Sequence, residues 1–286
     1  MNLSRMLAPK SAVFIGGEDL LPIIENAQKH QFSGDIFIVN QSQKSMAGIQ
    51  CFSSIEELPV DPDVAYVSLA RDLLPSVLQS LYYKQCGGVV INSPQLTDTD
   101  VPDIVYRGDD LPILGGNAAG FANYLDHSIF LQSQQKTHEP IETGVAVVSA
   151  DQTFLNEIDY SGSGLSVAYS IVPGGETGLS EAELLDYILT DDRVSAVLML
   201  LDDVRNVTAL SIAALKAARK GVPIVAVKAG KSVADDYLAV SALFARLGFI
   251  ECATPAEAAE TLKMLIGTSR PLGRRAAIVV NSPAYA

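Results

Sequence analysis

The residues Lys228, Gly230, Lys231 and Ser232 follow the apolar run Ile224–Val227. Open α/β sheets bind ligands just beyond the carboxyl ends of strands, so this is a place for chemistry. The segment looks like the tail of a P-loop, but Val225 stands where G-x-x-x-x-G-K-[ST] needs its first glycine. Ser232 and Ser241 are weak phosphate carriers with no base beside them in sequence. Asp202 and Asp203, after the run SAVLMLL, could share Mg²⁺ with a phosphate; a solvated loop is the commoner outcome. Ser149 follows a strand as a nucleophile would, yet lacks the G-x-S-x-G frame. Histidine occurs only at His30, His127 and His138. The chain beyond residue 138 thus has no side chain suited to proton shuttling near neutrality or to phosphoryl transfer through nitrogen.

Glycine turns are the other candidates. Gly16 and Gly17 lie between a strand and a helix, where backbone N–H groups and the helix N-terminus can face a phosphate. Glu18 would repel one at close range. Gly115 and Asn117 form a second such turn, with Asn117 able to donate to a ligand or to cap a following helix. Pro173, Gly174, Gly175 and Gly178 make a third, which could cradle an anion or simply turn the chain.

Positioning these turns requires strands, and the apolar runs supply them. The first half predicts strands at 11–16, 35–40, 64–70, 87–92 and 112–116, with a helix over 73–84. The second predicts strands at 144–150, 165–172, 195–201, 223–229 and 248–253, with helices at 180–190, 207–220, 233–247 and 255–266. Thr254 with Glu257 reads as a capping box for the last helix. This β-α-β alternation predicts two tandem α/β domains with parallel sheets. The boundaries are 1–132 for the first domain, a polar linker at 133–143, and 144–270 for the second; 271–286 would begin a truncated third domain, with a strand at 276–280.

The totals agree. The chain has 286 residues, 48% of them hydrophobic, no tryptophan, and a net charge of −13. Aliphatic cores suit sheets buried on both faces. The acidic balance disfavours nucleic acid and anionic membranes as partners. No apolar run approaches the ~20 residues of a membrane helix, and the N-terminus reads as no signal peptide. Cys51, Cys86 and Cys252 read as reduced thiols of a cytoplasmic protein, and no metal site is expected.

In order along the chain, LAPKSAVFIGGE, IVNQSQKSMAGIQCFSSIEELP, PILGGNAAG, VAVVSADQ, ELLDYILTDDRVSAVLMLLD, PIVAVKAGKS and RPLGRRAAIVVNS resemble segments of NDP-forming acyl-CoA synthetases. The first two domains of that family resemble the succinyl-CoA ligase α subunit, and the fused protein-lysine acetyltransferases open with the same pair. The resemblance implies a Rossmann-like CoA-binding domain followed by a flavodoxin-like, succinyl-CoA ligase-type domain. It implies CoA or acyl-CoA as ligand, held by Gly16, Gly17, Asn40, Lys44, Gly115 and Asn117. Lys44 substitutes for a family lysine whose position is Ser42 here. It also implies an ATP-grasp domain or subunit as partner, and a homo-oligomer is possible. The family's S-H-T-G loop, whose histidine takes up phosphate, has no counterpart: VADDYLAVSALFARLGF runs directly to the next strand. No catalytic residue is assigned. Three readings stay open: a CoA-binding module without its own catalysis, an acyl-CoA ligase component, and a regulatory or interaction module that has lost its ligand.

Overall fold

The computed structural model describes residues 3–93, 111–131, 141–160, 164–174, 178–201, 204, 206–228, 237–267, 275 and 277. The first sheet is built from β1 (Ser11–Gly16), β2 (Asp35–Val39), β3 (Ser45–Met46), β4 (Ile49–Phe52), β5 (Val64–Ser68), β6 (Val89–Ile91) and β7 (Ile113–Leu114), in the order β3-β4-β2-β1-β5-β6-β7. Apart from the antiparallel β3, the strands are parallel and run in the Rossmann order 3-2-1-4-5-6. The helices are α1 (Ser4–Leu7), α2 (Leu21–Lys29) and α3 (Leu74–Tyr83). The sequence repeats Asp-Leu-Leu-Pro at 19–22 and 72–75. In both copies a 3-10 turn feeds the helix, with proline in the first turn where its missing N–H costs nothing.

The second sheet comprises β8 (Gly120–Asn123), β9 (Ser128–Leu131), β10 (Gly144–Ser149), β11 (Val167–Val172), β12 (Val194–Leu201), β13 (Ile224–Lys228) and β14 (Ile250–Cys252), in the order β14-β13-β12-β10-β11-β8-β9. Its five parallel strands have the flavodoxin-like order. The helices are α4 (Gln152–Tyr160), α5 (Glu181–Ile188), α6 (Val207–Lys220), α7 (Tyr237–Leu247) and α8 (Pro255–Gly267). None of the described helices is long and apolar enough to cross a membrane.

Alternation along the strands divides the core. Val13 and Ile15 of β1 face α3 with Val67, Ile91, Leu74 and Leu78, whereas Ala12 and Phe14 face α1 and α2. In the second sheet Val145, Val147 and Leu198 face α4 and α8, whereas Ala146, Val148 and Met199 face α5 and α6. Both faces of each sheet are therefore covered, as near-continuous apolar strands require.

Two hairpins depart from the expected all-parallel sheets. The β3–β4 hairpin turns at Ala47 and Gly48, both at positive φ (50° and 78°), as a two-residue hairpin turn demands. The β8–β9 hairpin lies in sequence before residue 132, yet β8 pairs antiparallel with β11 of the second sheet. It also packs on the first domain: the Phe130 ring meets Phe14, Phe32 and Phe121 at 5.9, 5.0 and 5.5 Å between centroids. Asn26 Nδ2 donates to the Leu131 carbonyl and Asn123 Nδ2 to the Leu7 carbonyl, each at 2.9 Å. One largely aliphatic core thus runs between the sheets, with an aromatic cluster around Phe130 inside it.

Arg193 fastens the hairpin turn to the second sheet. Its guanidinium donates to both oxygens of Asp126 (3.0 and 2.9 Å) and to both of Asp191. Hydrogen bonds from Arg193 hold the Asp126 carboxyl below its ordinary range. Burial pushes Asp191 upward, but hydrogen bonds from Arg193 and Tyr169 outweigh it and leave the carboxyl low. The helix start at Thr254 is capped as expected, Thr254 Oγ1 accepting from Glu257 N at 3.2 Å, but the Glu257 carboxylate accepts from Ala253 N instead of completing the box. A complete box, unread in the sequence, starts α5 at Ser180 and Glu183.

Candidate functional site

The first sheet reverses its winding at β1, with β2 on one side and β5 on the other, and a crevice opens at such a point. A pocket of about 460 Å³ lies there, lined by Gly16, Gly17, Asn40, Ser42, Glu56 and Ser80 among others.

Gly16 closes β1 where no side chain fits: a Cβ would stand 2.5 Å from the Ser68 carbonyl oxygen. Gly17 opens the turn, and Leu20 N donates to its carbonyl at 3.2 Å. Asn40 ties that turn to the loop after β2. Its Nδ2 donates to Gly16 O at 2.8 Å, and its Oδ1 accepts from Ser42 N (2.8 Å) and Gln43 N (2.9 Å). Such an Asx turn fixes the loop by local geometry. The two acids after the glycines are engaged. Glu18 accepts from Gln43 Nε2 at 3.1 Å, and Asp19 accepts from the Ser68 hydroxyl.

The far wall comes from the loop after β4 and from α3. Ser53 N donates to Glu57 at 3.0 Å, and Ser80 Oγ donates to Glu56 at 2.8 Å. Its own backbone N–H, then the hydroxyls of Ser80 and Ser54, hold the Glu56 carboxyl below the ordinary glutamate value. Glu56 and the serines at 53, 54, 76 and 80 did not emerge from the sequence, although S-S-I-E-E after an apolar run carries the S-x-x-E spacing of a capped turn.

Of the expected ligand residues, Gly16, Gly17 and Asn40 share this pocket. Lys44 is exposed on the loop before β3, with its carbonyl accepting from Cys51 N, and is not among the pocket-lining residues. Gly115 and Asn117 stand beyond β7, three strand positions from β1, or roughly 14 Å at the usual inter-strand spacing. No helix follows Asn117, which precedes β8, so it caps none. That turn is a domain junction. Ala118 N donates to Ile91 O, Asn92 Nδ2 to Ala118 O, and the Tyr66 hydroxyl to Ala119 O. Burial pushes the Tyr66 phenol well above its usual value. Gly174 presses against the junction from the second domain, where an added Cβ would lie 2.2 Å from Gly115 O.

The other sequence candidates resolve differently. Ser149 is buried and its hydroxyl is committed to a turn, donating to Asp151 O and accepting from Asp151 N. Ser241 donates to the Glu251 carboxylate. Lys228 is buried at the end of β13, level with Leu201. His30 is buried at the end of α2, and His127 sits in the β8–β9 turn. Asp202, Asp203, Ser232, His138, most of the expected linker and, apart from residue 277, the strand expected at 276–280 lie outside the described residues. No group of three or more His, Cys, Asp or Glu among the described residues could hold a metal ion.

Residues 143–265 match the family described as "Succinyl-CoA ligase like flavodoxin domain". A trans-feruloyl-CoA synthase from an unknown prokaryotic organism is 24% identical over 313 aligned positions, covering 99% of this chain and 44% of its own length. An ADP-forming acetate–CoA ligase from Methanocaldococcus jannaschii is 25% identical over 237, covering 78% of this chain and 33% of its own. The chain thus spans less than half the length of these relatives. Among solved structures, the apo dinucleotide-forming acetyl-coenzyme A synthetase 1 of Ca. Korarchaeum cryptofilum superposes with a TM-score of 0.86 at 17% identity, over 96% of this chain and 64% of that one. The ATP citrate lyase of Methanothrix soehngenii, in complex with citrate and coenzyme A, gives 0.68 at 14% identity, over 98% of this chain and 54% of that one.

Proposed function

We propose that this chain, homologous to the α part of NDP-forming acyl-CoA synthetases and carrying their succinyl-CoA ligase-like domain, is a CoA- or acyl-CoA-binding module without its own phosphohistidine step. The observation that carries the reading is the pocket at the β1 switch point, with Gly16 and Asn40 locked together beneath it. There the backbone of the Gly16–Gly17 turn faces the nucleotide end of the ligand. The pantetheine arm runs along the carboxyl edge toward Gly115 and Asn117 at the domain junction. Lys44, exposed beside the loop that Asn40 orders, meets phosphate from the solvent side. The absence of histidine after residue 138 supports a non-catalytic role. The partner in this reading is an ATP-grasp domain or subunit, and the location cytoplasmic.

The test is a thermal-shift screen with CoA, acetyl-CoA, succinyl-CoA, ADP and NAD. Ligand at 100-fold Kd adds about 2.7 kcal/mol of stability. A shift with CoA species supports the reading, and no shift at millimolar ligand rejects it. A second reading, a working ligase component, draws on relatives named as the α subunits of acetate–CoA ligases in Pyrococcus furiosus. Incubation with labelled ATP and an ATP-grasp partner would transfer label to this chain in that case, and a blank result beside an active relative rejects it.

A further inference from the structure

The outer face of α6 has no use in the account so far. α6 is the longest of the described helices and, in a chain with 33 acids, its sequence VTALSIAALKAARK holds none. Thr208, Ile212, Leu215 and Arg219 are all exposed, on the side opposite the buried Leu210, Ala213, Ala214 and Ala217. Ile212 is 65% exposed and Leu215 53%. Their 4-3-4 spacing draws one line along the helix, which is the seam by which one helix packs on another. The other exposed apolar side chains draw no such line: Leu238 is alone on α7, and Met264, Leu265 and Ile266 are consecutive on α8. Beside the seam runs a groove of about 470 Å³ between α5 and α6, lined by Leu3, Ala182, Tyr187, Ala209, Ile212 and Ala213 among others. Its alanines leave room for a large side chain, and Ile212 at its lip is such a side chain. Knob and hole thus lie next to each other on one surface.

We infer that this face pairs with the same face of a second copy of the chain, α6 against α6 in antiparallel order about a two-fold axis between residues 212 and 215. A two-fold interface must be complementary to itself, as a knob beside its own hole is. Ile212 then meets the partner's Leu215, and Thr208 the partner's Arg219. Charge selects the antiparallel order. Glu181 and Glu183 open α5, and Glu183 lines the groove with Ala209 near the start of α6, while Arg219 ends the seam. Lys216 and Lys220 are bound to Asp186 and Asp192 across the α5–α6 contact, whereas Arg219 lies on the exposed line. Antiparallel packing brings Arg219 to the end that carries the partner's Glu183; parallel packing sets two Arg219 side chains together. Charge also selects the face. Two copies at a net −13 repel each other, and the approach is least opposed where the meeting helices carry no acid.

Sedimentation velocity of the whole chain from about 1 to about 200 µM, the range in which so small an interface associates, tests this. A reversible rise toward twice the monomer mass is expected. Ile212→Asp removes an apolar anchor and sets two like charges near the axis, so it should raise the dimer Kd by more than about tenfold. Arg219→Glu should also weaken the dimer, while Arg219→Lys keeps it. Leu238→Asp, an exposed apolar site off the seam, should leave the Kd unchanged. All four positions are exposed helix surface or its edge, and melting curves verify that the variants fold. A chain that stays monomeric at the highest concentration overturns the inference. So does a dimer that Ile212→Asp leaves intact, because its interface then lies elsewhere. A monomer whose α6 gains hydrogen-exchange protection only when an ATP-grasp protein is added gives the face to that partner, and likewise overturns the second copy as its occupant.

Discussion

Replacing Asn40 by alanine removes three hydrogen bonds from beneath the pocket: one to Gly16 O and two from the N–H groups of Ser42 and Gln43. A net intramolecular hydrogen bond contributes about 0.5–1.5 kcal/mol. Ser42 is exposed and can turn its N–H to water, while the Gly16 carbonyl is held at a buried strand end. The expected loss is therefore about 2 kcal/mol, dominated by the Gly16 contact. Urea denaturation followed by far-ultraviolet circular dichroism reads it as a lower midpoint at unchanged slope. Asn40→Asp separates the parts. It keeps the acceptor for both loop N–H groups but turns a carboxylate oxygen toward Gly16 O, so it should also unfold earlier than the wild type. Both variants should weaken CoA binding, because the glycine turn and the β2 loop no longer hold one geometry. An Asn40→Ala midpoint equivalent to less than about 0.5 kcal/mol would refute the reasoning, since that is what a surface substitution gives.

Phe130→Ala should cost about 3–5 kcal/mol, as large aromatic truncations in cores do, and urea unfolding should show the sheets separating into distinct transitions, since Phe130 joins them. Gly174→Ala, at a φ of 80° and with its Cβ 2.2 Å from Gly115 O, should lose more than about 1 kcal/mol, measured by thermal melting. Asp126 and Asp191 have folded pKa values below their ordinary one, so their contribution is present above about pH 4 and is lost as pH falls through the folded values. After screening at this half-exposed site it amounts to about 1 kcal/mol, and Arg193→Met should flatten the fall in melting temperature between about pH 5 and pH 3.

Much of the fold was legible because its strands carry their own signal. SAVFIG and GVAVVS are buried at every position, and their unbroken apolar runs mark them as sheet cores. The β8–β9 hairpin was not legible. Its four-residue strands include Asn123 and Ser128, polar residues that look like loop, and their burial depends on partners far away in the chain, Asn123 reaching Leu7 O as well as its neighbour Asp126. The aromatic cluster around Phe130 was hidden for the same reason: Phe14, Phe32, Phe121 and Phe130 converge from distant parts of the chain, and a low aromatic fraction does not announce convergence. At the site, Gly16, Gly17 and Asn40 could be found because turns and Asx loops have local signatures. Glu56 could not, because its place depends on β4 pairing with β2 through a crossover without a helix. Asn117 shows the reverse error, a residue with the right local type for a cap and a strand where the helix should be.

The central claim is that the β1 switch-point pocket is the ligand site. Hydrogen-exchange mass spectrometry of the whole chain, with and without saturating CoA, tests it most directly. The account predicts slowed exchange in peptides covering 15–20, 40–43 and 53–56, with the junction turn at 115–119 following as the arm of the ligand settles. Protection confined to other surfaces, or no protection at all, would contradict it.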